Sequence, residues 1–144
     1  MEILSGEMVI ARIFNIEELN HEGLKFLSQE SDFLQIGFWN HAKATELQAH
    51  IHNEFERTVS RTSEMIFVFC GRVHADIYGD DGNLISEHEL VAGDILISLR
   101  GGHGYKIMDN NTKVIEVKNG PYFGPEIDRR RITELCSLSS RRSR

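Results

Sequence analysis

Two histidines one residue apart, His50 and His52, close the run TELQAHIH, and a lone glutamate, Glu64, opens the apolar run EMIFVFCG. A third histidine, His103, follows two glycines in LRGGHGYKI. If TELQAHIH is a strand, alternation puts His50 and His52 on one face, about 7 Å apart. Two imidazoles at that spacing can converge on one ion at ~2.0–2.2 Å each. A neighbouring strand EMIFVFCG brings Glu64 beside them, at the head of a file with Ile66, Val68 and Cys70. A carboxylate buried there unpaired is costly, and a cation is its natural partner. His103, sharing a face with Tyr105 and Ile107, is the expected fourth donor. The set His50, His52, Glu64 and His103 predicts one divalent transition metal: Zn, Fe, Mn, Ni or Co. Glu54 and Glu56 lie nearer the histidine pair in sequence and are the alternative oxygen donors.

Other side chains follow from that centre. Arg57 and Arg61 lie in NEFERTVSRT, between His52 and Glu64. A guanidinium grips a carboxylate or phosphate with two parallel hydrogen bonds, so Arg57 is the candidate anchor for an anionic substrate. Tyr105 is a candidate for substrate binding and for proton donation, and Glu56 is the other candidate acid–base group. Against them stand the plainer readings of a solvated loop and a core tyrosine with a satisfied hydroxyl. Phe38 and Trp39 read as core or subunit interface. His74 and His88 have charged neighbours and read as solvent-facing, and Cys70 reads as a packed thiol. No Ser-His-Asp arrangement, P-loop or GxGxxG is present, which argues against a triad hydrolase, a nucleoside triphosphatase and a Rossmann enzyme.

The elements that must position these groups are mostly strands. Asn15 with Glu18 three residues on looks like a helix start, and Ile16, Leu19, Leu24 and Leu27 extend it at near-helical spacing. From Phe33 onward the pattern is β: FLQIGFWN, TELQAHIH, EMIFVFCG, RVHADIYG, NLISEHEL, DILISL, GYKIMD and KVIEVK, with turn residues between. Gly79-Asp-Asp-Gly82 reads as a hairpin turn. Many short strands and little helix predict an all-β sandwich or barrel in one domain, residues 1–128, with a barrel core at about 33–125.

Composition narrows the partners. Hydrophobic residues make up 40% and charged residues 26%, ordinary for a globular chain. The formal charge of −6 hides a basic tail: residues 129–144 hold six arginines and one acid, Glu134. An acidic body argues against a nucleic-acid-binding core, and the tail reads as a solvated or disordered end. No apolar stretch approaches the roughly 20 residues needed to cross a bilayer, and no secretion signal is read at the N-terminus. Cys70 and Cys136 are far apart without CxxC spacing, so a reducing cytoplasm is the expected compartment.

The motif residues together resemble the cupin superfamily. Its first motif is matched by His50-Ile51-His52 and by Glu64 followed six residues later by Gly71. Its second is matched by Gly93-Asp94, the bend at Gly101-Gly102, His103 and Asn110. The stretch GDILISLRGGHGYKIMDNNTKVIEVKNGPYFG resembles small single-domain bacterial cupins. This sequence departs from the pattern in the long His52–Glu64 gap, read as a loop over the barrel mouth, and in lacking a proline before His103. The resemblance implies a jelly-roll (double-stranded β-helix) barrel with a short N-terminal helix, a bound metal and a homodimer. It also implies a small polar or anionic ligand. The metal-centred reading is an enzyme of the sugar isomerase/epimerase or non-haem oxygenase kind. The alternative is a non-catalytic module that captures a sugar or small acid, with the metal structural.

Overall fold

A computed structural model describes residues 1–132, and the tail from residue 133 onward lies outside the described residues. Ten strands form its regular structure: β1 (Glu2–Ser5), β2 (Met8–Asn15), β3 (Gly23–Phe26), β4 (Gly37–Asn40) and β5 (Glu64–Cys70), then β6 (Arg72–Tyr78), β7 (Leu84–Val91), β8 (Asp94–Ser98), β9 (Gly102–Ile107) and β10 (Lys113–Lys118). They form three antiparallel sheets, β1-β2-β8-β5-β10, β3-β4 and β7-β6-β9, and none closes into a barrel. The chain is therefore all-β, as the strand pattern predicts. The helix expected after Asn15 is a single 3-10 turn, Ile16–Glu18, with the Asn15 side chain accepting from Glu17 N. The chain then enters β3 at Gly23, whose φ of +90° suits glycine and breaks the helical spacing. A four-residue helix, α1 (Pro125–Asp128), follows the last strand. Among the described residues no helix is long and apolar enough to cross a membrane.

Burial explains why β5 and β8 are apolar at nearly every position. One face of the five-stranded sheet carries Ile66, Val68 and Leu96, which pack with Val73, Ala75 and Ile77 of β6. The opposite face carries Ile95 and Ile97, which pack with Leu27, Phe38, Met65 and Phe67 beneath the β3–β4 pair. A strand covered on both sides loses the apolar–polar alternation that a half-exposed strand keeps. β6 retains it: Val73, Ala75 and Ile77 are buried, while His74, Asp76 and Tyr78 are half-buried on the outer face. The β6–β7 hairpin through Gly79–Asn83 forms as the DDGN turn predicts.

Other segments also differ from the sequence reading: Glu2–Ser5 and Met8–Asn15 are strands ahead of the β pattern read from Phe33, and FLQIGFWN is a strand only over Gly37–Asn40. TELQAHIH is not a strand: residues 41–62 are irregular and exposed at every position. β5 is already flanked by β8 on one side and β10 on the other, so no edge is left for a strand carrying the histidine pair. His88 is not solvent-facing. It lies across from Ala75 on the inner face of β7, its Nε2 2.9 Å from Ser86 Oγ, and burial holds its pKa below the usual imidazole range.

Candidate functional site

The two facing sheets leave a cavity at one end, and strand register decides what lines it. Glu64 lies opposite Ser98 in β8 and Lys118 in β10. Glu64 and Ser98 therefore continue the inner files of Ile66 and Leu96, replacing apolar side chains with polar ones. On the other sheet His103 lies opposite Ile77 and Tyr105 opposite Ala75, so both point inward. The apolar core thus ends in a polar cluster. The cavity there has a volume of about 620 Å³, and Glu116, Lys118, Arg100, Arg129 and Arg130 also line it. That volume is within the range of small-molecule sites.

Glu64 is 8% exposed. Its Oε1 stands 3.3 Å from His103 Nε2 and accepts from the Tyr105 hydroxyl at 3.4 Å. The His103 and Tyr105 rings stack with centroids 5.0 Å apart, which fixes both polar ends toward the same oxygen. Burial, then the charge of Glu64, drives the Tyr105 pKa far above its ordinary value; Ser98 opposes the shift. The Ser98 hydroxyl is itself buried and without a partner that meets hydrogen-bond geometry among the described residues. Neighbouring loops hold the cluster. The Asn119 side chain accepts from Ser63 N at 2.7 Å and donates to Arg61 O at 3.2 Å, clamping the entry to β5. Asp80 accepts from Arg100 Nε at 3.0 Å and from Gly101 N at 3.1 Å, tying the turn before β7 to the bend before β9. Gly101 has a φ of +77°, and a Cβ there would collide with the Tyr78 carbonyl.

The expected ligands divide into two groups. Glu64 and His103 meet, with Tyr105 beside them. His50 and His52 stand next to each other, ring centroids 5.0 Å apart, in the exposed 41–62 segment. Glu54, Glu56 and Arg57 share that segment, Arg57 stacking its guanidinium 3.7 Å from the Phe55 ring centroid. None of these five residues lines the cavity. Cys70 is half-buried, its thiol 3.3 Å from the Asn111 carbonyl, and Cys136 lies outside the described residues.

Sequence reasoning missed Ser98, Glu116 and Lys118. The signal was present in strand phase: in KVIEVK the two charged residues at even spacing sit across from Ile66 and Glu64. It also missed Arg12, 4% exposed, which donates to Glu2 at 3.0 Å and Asp32 at 2.7 Å. On the outer face of the three-stranded sheet, His74, Asp76 and Glu87 gather their ligand atoms within 4.8 Å of one another. Comparison with family models, with curated proteins and with solved structures returned no match.

Proposed function

We propose that the chain is a metal-binding protein of the cupin kind, whose inter-sheet cavity takes a small polar or anionic substrate beside a divalent transition metal. The observation that carries this reading is the meeting of Glu64 and His103, the two motif residues on facing sheets, at 3.3 Å inside a cavity. A buried carboxylate facing an imidazole, with the unpartnered Ser98 hydroxyl beside them, offers oxygen and nitrogen donors that suit a cation. Glu64 and His103 would hold the ion, and His50 and His52 are the remaining donors. In this structure the latter two stand in the exposed segment, so their joining requires residues 41–62 to fold onto the cavity. A bound divalent ion supplies Lewis acidity toward a substrate carbonyl.

The chain's own groups do the rest. Tyr105 keeps its proton at neutral pH and donates from Oη into the cavity, which suits a donor that orients a substrate oxygen. Arg129 and Arg130 place positive charge at the rim and make no ion pair among the described residues, while Lys118 is paired with Glu116 at 2.8 Å. This favours a small acid or a phosphorylated sugar, undergoing a proton shift next to a carbonyl. Oxygen consumption by the iron-loaded protein would instead indicate oxygenase chemistry, and a ligand recovered unchanged would indicate capture without turnover.

The test of the ligand set is the His50→Ala/His52→Ala variant. It should retain β-rich circular dichroism, since both residues are exposed, and bind one equivalent of metal fewer than the unmutated chain on elemental analysis. Full metal content in a folded variant would overturn the assignment.

A further inference from the structure

The outer face of the β7-β6-β9 sheet carries a second constellation that the cavity does not use. His74 and Asp76 are two residues apart on β6 and so share a face, and Glu87 lies directly across from Asp76 on β7. His74 Nε2 is 3.0 Å from Asp76 Oδ1 and 3.3 Å from Glu87 Oε1. Ligands bonded at about 2.0–2.2 Å to a tetrahedral ion stand about 3.3–3.6 Å apart, close to these separations. Among the described residues no lysine or arginine pairs with Asp76 or Glu87. The nearby Arg72 is engaged by Asp109 at 2.8 Å and Glu89 at 3.1 Å. Two carboxylates therefore meet one imidazole, and Lys106, across from His74 on β9, makes no ion pair with either of them.

We propose that His74, Asp76 and Glu87 form a surface site for a divalent transition metal such as Zn²⁺, separate from the cavity. Two neighbours are arranged as such a site needs. The Tyr78 hydroxyl donates to Asp76 Oδ2 at 3.4 Å, which turns Oδ1 toward His74. Orienting a ligand carboxylate from behind is the usual task of an outer hydrogen bond. Across from Asp76 on β9 stands Gly104, where an added Cβ would lie 3.6 Å from Asp76 Oδ2. The absence of a side chain there leaves an approach for a fourth ligand, water or an exogenous group. The ion would take the Nε2 lone pair of the neutral His74 ring, with the ring proton on Nδ1.

The site stands apart from the cavity reading, and the experiment separates the two. Chelator-treated full chain carrying Glu64→Gln and His103→Ala is titrated with Zn²⁺ by calorimetry. One binding event should remain, abolished by adding His74→Ala and weakened at least ~10-fold by Asp76→Asn or Tyr78→Phe. In the unmutated chain, the ring-nitrogen resonances of His74 should move on Zn²⁺ addition. Unmoved His74 resonances, or an affinity unchanged by His74→Ala, would overturn the proposal.

Discussion

Removing His103 from metal-free protein should destabilise the fold through Glu64, and the structure sets the size of that effect. The Glu64–His103 contact at 3.3 Å is a charge contact rather than an aligned hydrogen bond. An aligned hydrogen bond to a charged group contributes about 1.5–3 kcal/mol, which bounds this contact from above. The His103 side chain is 31% exposed, so solvent screening and the missing alignment trim this to about 1 kcal/mol. Loss of the ring stack on Tyr105 adds about 0.5–1.5 kcal/mol. His103→Ala should therefore cost about 1.5–2.5 kcal/mol, leaving Glu64 with Tyr105 as its one side-chain partner among the described residues. With Glu64→Gln already present, the same substitution should cost about 1 kcal/mol less, because no carboxylate is then stranded. Urea unfolding of the four proteins in chelator, followed by circular dichroism, yields the coupling directly. Additivity within ~0.5 kcal/mol would show that the two side chains do not act on each other, and the reasoning from burial and distance would fail.

Tyr105 should set an alkaline limb of stability. Its folded pKa is raised by burial and by Glu64, so its contribution is complete below the unfolded tyrosine value of about 10 and is lost as pH rises toward the folded value. Ultraviolet titration should show Tyr105 ionising only with alkaline unfolding, and Tyr105→Phe should flatten the loss of stability above about pH 10. Titration of Tyr105 in the folded state near pH 10 would refute this. Asp80 runs the other way: the Arg100 hydrogen bond lowers its folded pKa, so its contribution is present above the unfolded value of about 4 and is lost on acidification below it. Acid unfolding should be less steep in Asp80→Asn, measured by urea midpoints between pH 5 and 2. Gly101→Ala should cost at least about 2 kcal/mol by thermal unfolding, combining a left-handed backbone with a clash on the Tyr78 carbonyl. A loss below about 0.5 kcal/mol would mean that the bend relaxes freely.

Much of the fold was legible because β6, β7 and β9 keep one face wet and therefore alternate. Phase alone put His103 and Tyr105 on one side, and they do point together into the cavity. The buried file beginning at Glu64 was readable for the same reason, since Ile66 and Val68 share its face. What failed was pairing. Leu47, Ala49 and Ile51 alternate as a strand would, yet Ile51 is 94% exposed because β8 and β10 already occupy both edges of β5. Local alternation carries no information about which edge is free. The short helix expected from Ile16 to Leu27 failed similarly. Leu19 packs into the second core from an irregular segment, and Leu24 belongs to β3. Ser98 was invisible because it matters only through Glu64 across from it.

The most direct test is anomalous diffraction from crystals of the chain reconstituted with Mn²⁺, Co²⁺ or Zn²⁺ and recorded at that metal's absorption edge. The account predicts a peak in the inter-sheet cavity at about 2.0–2.2 Å from Glu64 and His103, with the His50 and His52 imidazoles completing the shell. A cavity without anomalous density at saturating metal, or a peak bound there with Glu64 and His103 unengaged, would contradict it.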